Sequence, residues 1–218
     1  MREEMLPLLI LGAGGHTKVL LEALLREQHK ILGVVTPDLD SGTDYFGVTV
    51  LGSDEAVFEY DTQEVLLING IGSLPGKQHR WDLSVTMRER GYQFGSVIHP
   101  NSSIATDVLL AEGVQLMAGT TIQPGCNIGQ DSIINTGTQI DHDTIIGDQC
   151  HMAPGVTISG EVQIGNSVHI GTGAKVIQGI TIGEGSVIAA GTTVYKDVPS
   201  GVMVRQKVST VIKEIKDY

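Results

Sequence analysis

The sequence predicts a small α/β unit over residues 1–97 followed by a parallel β-helix over residues 98–218, and three observations carry that reading. First, from Ile98 to Val194 every sixth residue is apolar, seventeen positions in succession without an insertion. Second, the residue four places after each of these anchors is small or β-branched, as at Ser102, Val108, Val114, Thr120, Cys126, Ser132 and Thr138. That residue lies two before the next anchor, so strand alternation turns both columns to one inward face. Third, the period is missing before Ile98, where short apolar runs alternate with glycine turns and helical patterns.

Along the first unit, Leu8–Leu11 reads as a buried strand, Gly12-Ala13-Gly14-Gly15 as a tight turn and Thr17–Glu27 as an amphipathic helix. Ile31–Val35 and Val65–Ile68 are further strands, the latter followed by the turn Asn69-Gly70-Ile71-Gly72-Ser73. Lys77–Arg90 reads as a helix, and Gln93–Ile98 as a strand entering the repeats through His99-Pro100. In the repeats, six residues make one short strand and a corner, and three such units close an eighteen-residue turn. Glycine often follows the anchor, as in Ile128-Gly129 and Ile146-Gly147, where a corner needs a permissive backbone. Lys207–Lys216 reads as a short terminal helix.

The chain of 218 residues has a formal net charge of −11, which argues against nucleic acid or an anionic membrane as a general partner. Two cysteines, Cys126 and Cys150, give no disulfide framework, and both fall in the inward column, where a thiol packs as a small hydrophobe. No apolar run reaches the ~20 residues needed to span a bilayer. A cytoplasmic address is expected.

Two groups of residues carry chemistry. The turn Gly12–Gly15 with His16 sits between a strand and a helix, where free amides and the helix dipole favour a phosphate. As a dinucleotide fingerprint it is incomplete, because Thr17 stands where the third glycine belongs. Phosphate contact and a purely structural turn both remain open. The second group is Asp141-His142-Asp143, with His151 nine residues on and His169 a further eighteen. One full turn separates His151 from His169, so they should stack about 4.8 Å apart. His142 falls near a corner, where an imidazole flanked by carboxylates suits proton abstraction at neutral pH.

The order GAGGHTK, then NGIGS, then HP at the junction, then DHD and the later histidines resembles one family over nearly the whole chain. It is similar to the bacterial sugar acetyltransferases among the hexapeptide-repeat acyltransferases, which include UDP-4-amino-sugar N-acetyltransferases and sialic acid O-acetyltransferases. The resemblance implies a left-handed coil, a Rossmann-like first domain that holds a nucleotide sugar, and a homotrimer with acetyl-CoA between subunits. It implies His142 as general base beside Asp143, with acetyl-CoA contacts at His151, Gly160, His169 and Ala190. The Gly160 amide would hold the thioester oxygen. The acceptor would meet Gly12, Gly14, Gly15, His16, Asp38 and Gly72. Where the family often carries a glutamate after the base this chain has Asp143, and in place of an aspartate run it reads Val35-Thr36-Pro37-Asp38.

The resulting expectation is N-acetylation of a UDP-4-amino sugar by direct transfer, with O-acetylation of a sialic-acid-like sugar as the alternative. His142, His151 and His169 also match the ligand number of zinc-dependent carbonic anhydrases built on the same solenoid. Those enzymes resemble the solenoid alone and place paired ligands closer in sequence, so no metal is expected. A non-catalytic sugar-nucleotide sensor is a third reading.

Overall fold

A computed structural model describes residues 6–206. The first unit is a six-stranded sheet in the order β3-β4-β2-β1-β5-β6. Its strands are β1 (Leu8–Leu11), β2 (Ile31–Val35), β3 (Asp44–Tyr45), β4 (Val48–Gly52), β5 (Leu66–Asn69) and β6 (Gln93–Phe94). Helix α1 (Gly15–Arg26) links β1 to β2, and α2 (His79–Glu89) links β5 to β6. All pairings are parallel except β3 with β4. The central strand β1 is buried along its whole length, which is why it reads as a continuous apolar run.

The hairpin β3–β4 is not legible as strands in the sequence, since each arm is short. Its two-residue turn is Phe46-Gly47, with φ of 54° and 80°, the left-handed pair that a twisted hairpin needs. The expected strand Gln93–Ile98 is two strands. Gln93–Phe94 pairs with β5, whereas Val97–Ile98 pairs with Gln115–Leu116. Gly95 makes the step, for a Cβ there would press on Ile68 at 3.0 Å. The expected terminal helix at Lys207–Lys216 lies outside the described residues.

From Val97 onward the chain winds a parallel β-solenoid with two-residue rungs on three faces. The first face carries Val97–Ile98, Gln115–Leu116, Ile133–Ile134, His151–Met152, His169–Ile170, Val187–Ile188 and Met203–Val204. The second runs from Ser103–Ile104 to Thr193–Val194, and the third from Leu109–Leu110 to Thr181–Ile182. Partners are offset by one coil, as in Gln115 with Ile133 and His151 with His169.

Both inward columns meet in one core that includes Leu116, Ile128, Ile140, Cys150, Val162 and Ile182. Each fully buried aliphatic side chain of this kind contributes about 1.5–3 kcal/mol. Small polar members of the second column bond the next coil's carbonyls, for example Ser132 Oγ to Gly147 O at 2.9 Å. The anchor Ile98 departs from the pattern at 42% exposure, because its coil has no coil beneath it.

The first unit docks on the lower coils of the first face. Leu20, Leu24 and Ile68 share a core with Val97, Met117 and Ile133. Arg88 of α2 makes a two-pronged ion pair with Asp131 at 2.6 and 3.0 Å, and His99 meets Glu22 of α1 at 3.0 Å. Among the described residues no helix is long and apolar enough to cross a membrane.

Candidate active site

Asp141–Thr144 form the corner between the second and third faces. His142 Nδ1 lies 2.9 Å from Asp143 Oδ2, and the His142 amide donates to Asp141 Oδ1 at 2.9 Å. The two aspartates thus divide the work: Asp143 holds the ring and Asp141 the backbone. Asp143 sits at φ 56°, a left-handed conformation that aspartate tolerates better than most residues. A carboxylate only accepts, so Nδ1 carries the proton and Nε2 keeps the lone pair. The Asp143 hydrogen bond raises the His142 pKa above its ordinary value, with Asp141 and Glu161 adding to it.

Gly160 lies one coil away, directly against this ring. A Cβ built on it would come within 2.6 Å of His142 Cε1 and Nε2. The Gly160 N–H donates to no acceptor among the described residues. The corner therefore pairs a basic lone pair with a free amide donor.

His151 and His169 are neighbours on adjacent coils of the first face, their rings edge to face with centroids 4.8 Å apart. Asn135 Oδ1 receives Thr136 N at 2.7 Å, so its Nδ2 faces His151 Nε2 at 3.3 Å. Nε2 accepts there, and Nδ1 holds the proton, turned to the Ser73 backbone without closing a hydrogen bond. Burial, helped by His169, His16 and Arg80, lowers the His151 pKa to about 3. Burial lowers that of His169 as well. Neither ring is poised as a base at neutral pH in the way His142 is.

The glycine turn opens on a cavity of about 610 Å³, within the range of small-molecule sites. Gly12, Gly14, Gly15, His16, Asp38 and Gly72 all line it. A Cβ on Gly14 or Gly15 would meet nothing within 4 Å, and α1 has no side-chain cap. Its first amides are thus open to a ligand. Thr17 explains the departure from the dinucleotide fingerprint. It is fully buried, and its hydroxyl lies 2.7 Å from Gly12 O and 3.1 Å from Gly70 O, knitting the two turns together. Ser73 and Leu74 line this cavity and also a smaller one of about 160 Å³, which reaches Arg80 and His169.

The structure thus gathers the expected residues into two groups. His142, Asp143 and Gly160 share the corner between the second and third faces. His16, the glycine turn, His151 and His169 adjoin one another on or beside the first face. In a triangular coil that corner lies opposite the first face, so one chain does not unite them. Ala190 is exposed at the corner between the first and second faces, apart from both groups.

Sequence reasoning missed Gln115 and Asn135, which hydrogen-bond His16 and His151, and Asn69, whose carbonyl accepts from both Gln115 and Arg80. The role of Gln115 depends on how the first unit docks, and no local spacing encodes that. Cys126 and Cys150 are buried, and burial pushes the Cys150 thiol up to about 12, so neither suits nucleophilic attack. Among the described residues no cluster of three or more His, Cys, Asp or Glu could hold a metal ion.

Known proteins share this fold. Residues 125–160 and 161–196 match the family described as bacterial transferase hexapeptide, six repeats. The perosamine N-acetyltransferase of Caulobacter crescentus, solved with CoA and GDP-perosamine, is 34% identical with a TM-score of 0.82. That match covers 90% of this chain and 92% of the other. The acetyltransferase domain of PglB from Neisseria gonorrhoeae, solved with acetyl coenzyme A, is 26% identical with a TM-score of 0.82, covering 90% and 94%. WeeI from Acinetobacter baumannii is 26% identical with a TM-score of 0.74, covering 91% and 96%. No curated protein matches the chain in a sequence search.

Proposed function

The chain belongs to the sugar acetyltransferases of the hexapeptide-repeat family, and from that premise we propose that it moves the acetyl group of acetyl-CoA to the amine of a nucleotide-linked 4-amino sugar. The observation that carries the reading is the His142–Asp143 pair lying against the free amide of Gly160. The sugar amine attacks the thioester carbon while His142 Nε2 takes the proton from nitrogen. The Gly160 N–H meets the charge that develops on the carbonyl oxygen. Collapse of the tetrahedral intermediate breaks the C–S bond, and His142 returns the proton to the departing thiolate. The products are the N-acetyl sugar nucleotide and CoA.

On this reading the coil is left-handed and residues 1–97 form a Rossmann-like domain that receives the nucleotide sugar in the glycine-turn cavity. Residues 98–218 hold the donor, with His151, His169 and Ala190 among its contacts. Because the His142 corner lies opposite the first face, the complete site takes two copies of the chain, as a homotrimer supplies. The nucleoside is uridine or guanosine: the resemblance favours UDP, and the 34%-identical enzyme was solved with GDP-perosamine.

The test is thiol release from acetyl-CoA by the full-length protein against UDP- and GDP-linked 4-amino sugars and their 4-hydroxy counterparts. Turnover is expected with an amino sugar and loss of about 10²–10⁴-fold in His142→Ala. Turnover confined to hydroxyl acceptors would refute N-transfer.

A further inference from the structure

Gln115 touches none of the groups that perform the proposed chemistry. It occupies an outward position on the first face, yet it is buried at 1% exposure beneath the docked first unit. Its amide has only one workable orientation. Nε2 donates at 2.8 Å to the Asn69 carbonyl, an atom that only accepts and that also receives Arg80 Nη1 at 2.8 Å. Oε1 is left facing His16 Nε2 at 2.7 Å. An amide oxygen also only accepts, so His16 must carry its proton on Nε2.

The ring is neutral at physiological pH, because burial and the nearby Arg80 guanidinium lower its pKa to about 4. A neutral imidazole protonated on Nε2 keeps its lone pair on Nδ1. That atom makes no hydrogen bond among the described residues, and His16 lines the glycine-turn cavity.

We infer that Gln115 fixes the tautomer of His16, so that Nδ1 presents a hydrogen-bond acceptor to the bound substrate and selects an N–H or O–H of it. The inference rests on the proposed reaction for the identity of that substrate. It assigns the two polar features of the turn to different partners. A phosphate offers only acceptor oxygens, which the open amides of Gly14 and Gly15 suit and an imidazole lone pair repels. Gln115 is therefore a positioning residue, and His16 reads a donor group beside the phosphates.

Two arms test this with the full-length protein. The first needs no substrate: nitrogen-15 spectra of histidine-labelled protein at pH 7, with His16 assigned through His16→Asn. The expected signature is a neutral ring protonated on Nε2, changing to a mixture of tautomers in Gln115→Leu. A charged His16, an Nδ1 proton in the wild type, or an unchanged spectrum in Gln115→Leu overturns the inference.

The second arm exploits shape. In His16→Asn the new side-chain oxygen falls near the place of Nδ1, whereas His16→Gln restores the contact to Gln115 without an acceptor at Nδ1. The acceptor KM is expected to rise roughly 3–10-fold more in His16→Gln than in His16→Asn, the scale of one hydrogen bond, with the acetyl-CoA KM within about twofold. The reverse order would overturn the inference by making His16 a mere bridge to Gln115. Absence of turnover with every amino sugar refutes the proposed reaction, and the spectra still decide the tautomer.

Discussion

The His142 imidazole rests on Gly160, so close that a single added carbon would occupy the space of Cε1 and Nε2 at 2.6 Å. Gly160 is not held in a left-handed conformation, so alanine suits its backbone and the conflict is confined to the ring. Since His142 is exposed, the ring can swing away without disturbing the core. Gly160→Ala should therefore keep its melting temperature within a few degrees and lose turnover by about 10–10³-fold, as a displaced base and a crowded oxyanion donor require. Thermal denaturation beside steady-state kinetics checks this; unchanged kcat would separate Gly160 from the chemistry.

Asp143 sets the pH at which His142 can work. Its hydrogen bond stabilises the imidazolium and raises the pKa, and a base acts only when deprotonated. The acid limb of the kcat/KM profile therefore lies at the raised pKa. Asp143→Asn removes that stabilisation, so the limb should move to lower pH while the plateau falls through loss of ring orientation. A limb that moves to higher pH, or stays fixed, would show that another group controls the titration.

The sequence makes the solenoid readable because one physical constraint repeats: each coil must bury two side chains per face, an apolar residue stands at every sixth position from Ile98 to Val194, and those from Leu116 onward are buried. The corner histidine is legible for the same reason, since His142 interrupts no inward column and stands between two carboxylates. What stays hidden depends on contacts between distant segments. Gln115 occupies an outward rung position like Gln139 or Gln163, which are exposed, and only docking of the first unit buries it. Arg80 looks like an ordinary helix cation until its guanidinium is seen to cap the carbonyls of Asn69 and Ile71. The split of Gln93–Ile98 between two sheets is equally non-local, for either half alone has a strand's composition.

Buried neutral histidines make the fold sensitive to acid. His16 and His151 are held to about 4 and about 3 in the folded chain, against 6.5 as their unperturbed value. The unfolded chain binds their protons first as pH falls, so this stability is present above about 6.5 and is lost below it. Each group contributes a slope of about 1.4 kcal/mol per pH unit between its two values. Denaturant midpoints should drop steadily from pH 7 to pH 4.5, with a shallower fall in His151→Asn. Equal slopes in wild type and variant would show that His151 is not the source.

Two glycines close to each other in the first unit should behave in opposite ways. Gly70 is required by packing: a Cβ there would meet Thr17 Oγ1 at 2.2 Å and Leu11 O at 2.8 Å, both fixed in the core. Thr17 is the buried residue that ties the two turns together, so the clash cannot be relieved by one flexible side chain. Gly70→Ala should lower stability by about 1–3 kcal/mol, the usual scale of overpacking. Gly14 is required by nothing in the protein, since a Cβ there meets no atom within 4 Å and its φ of −87° suits any residue. A side chain at Gly14 would instead enter the cavity beside the open amides of α1. Gly14→Val should therefore leave the melting temperature nearly unchanged and raise the acceptor KM by about tenfold or more, with little change in kcat or in the acetyl-CoA KM. Calorimetry and kinetics on the two variants separate the cases. If Gly14→Val binds the nucleotide sugar as tightly as the wild type, the ligand does not approach the turn, and the cavity serves some other purpose.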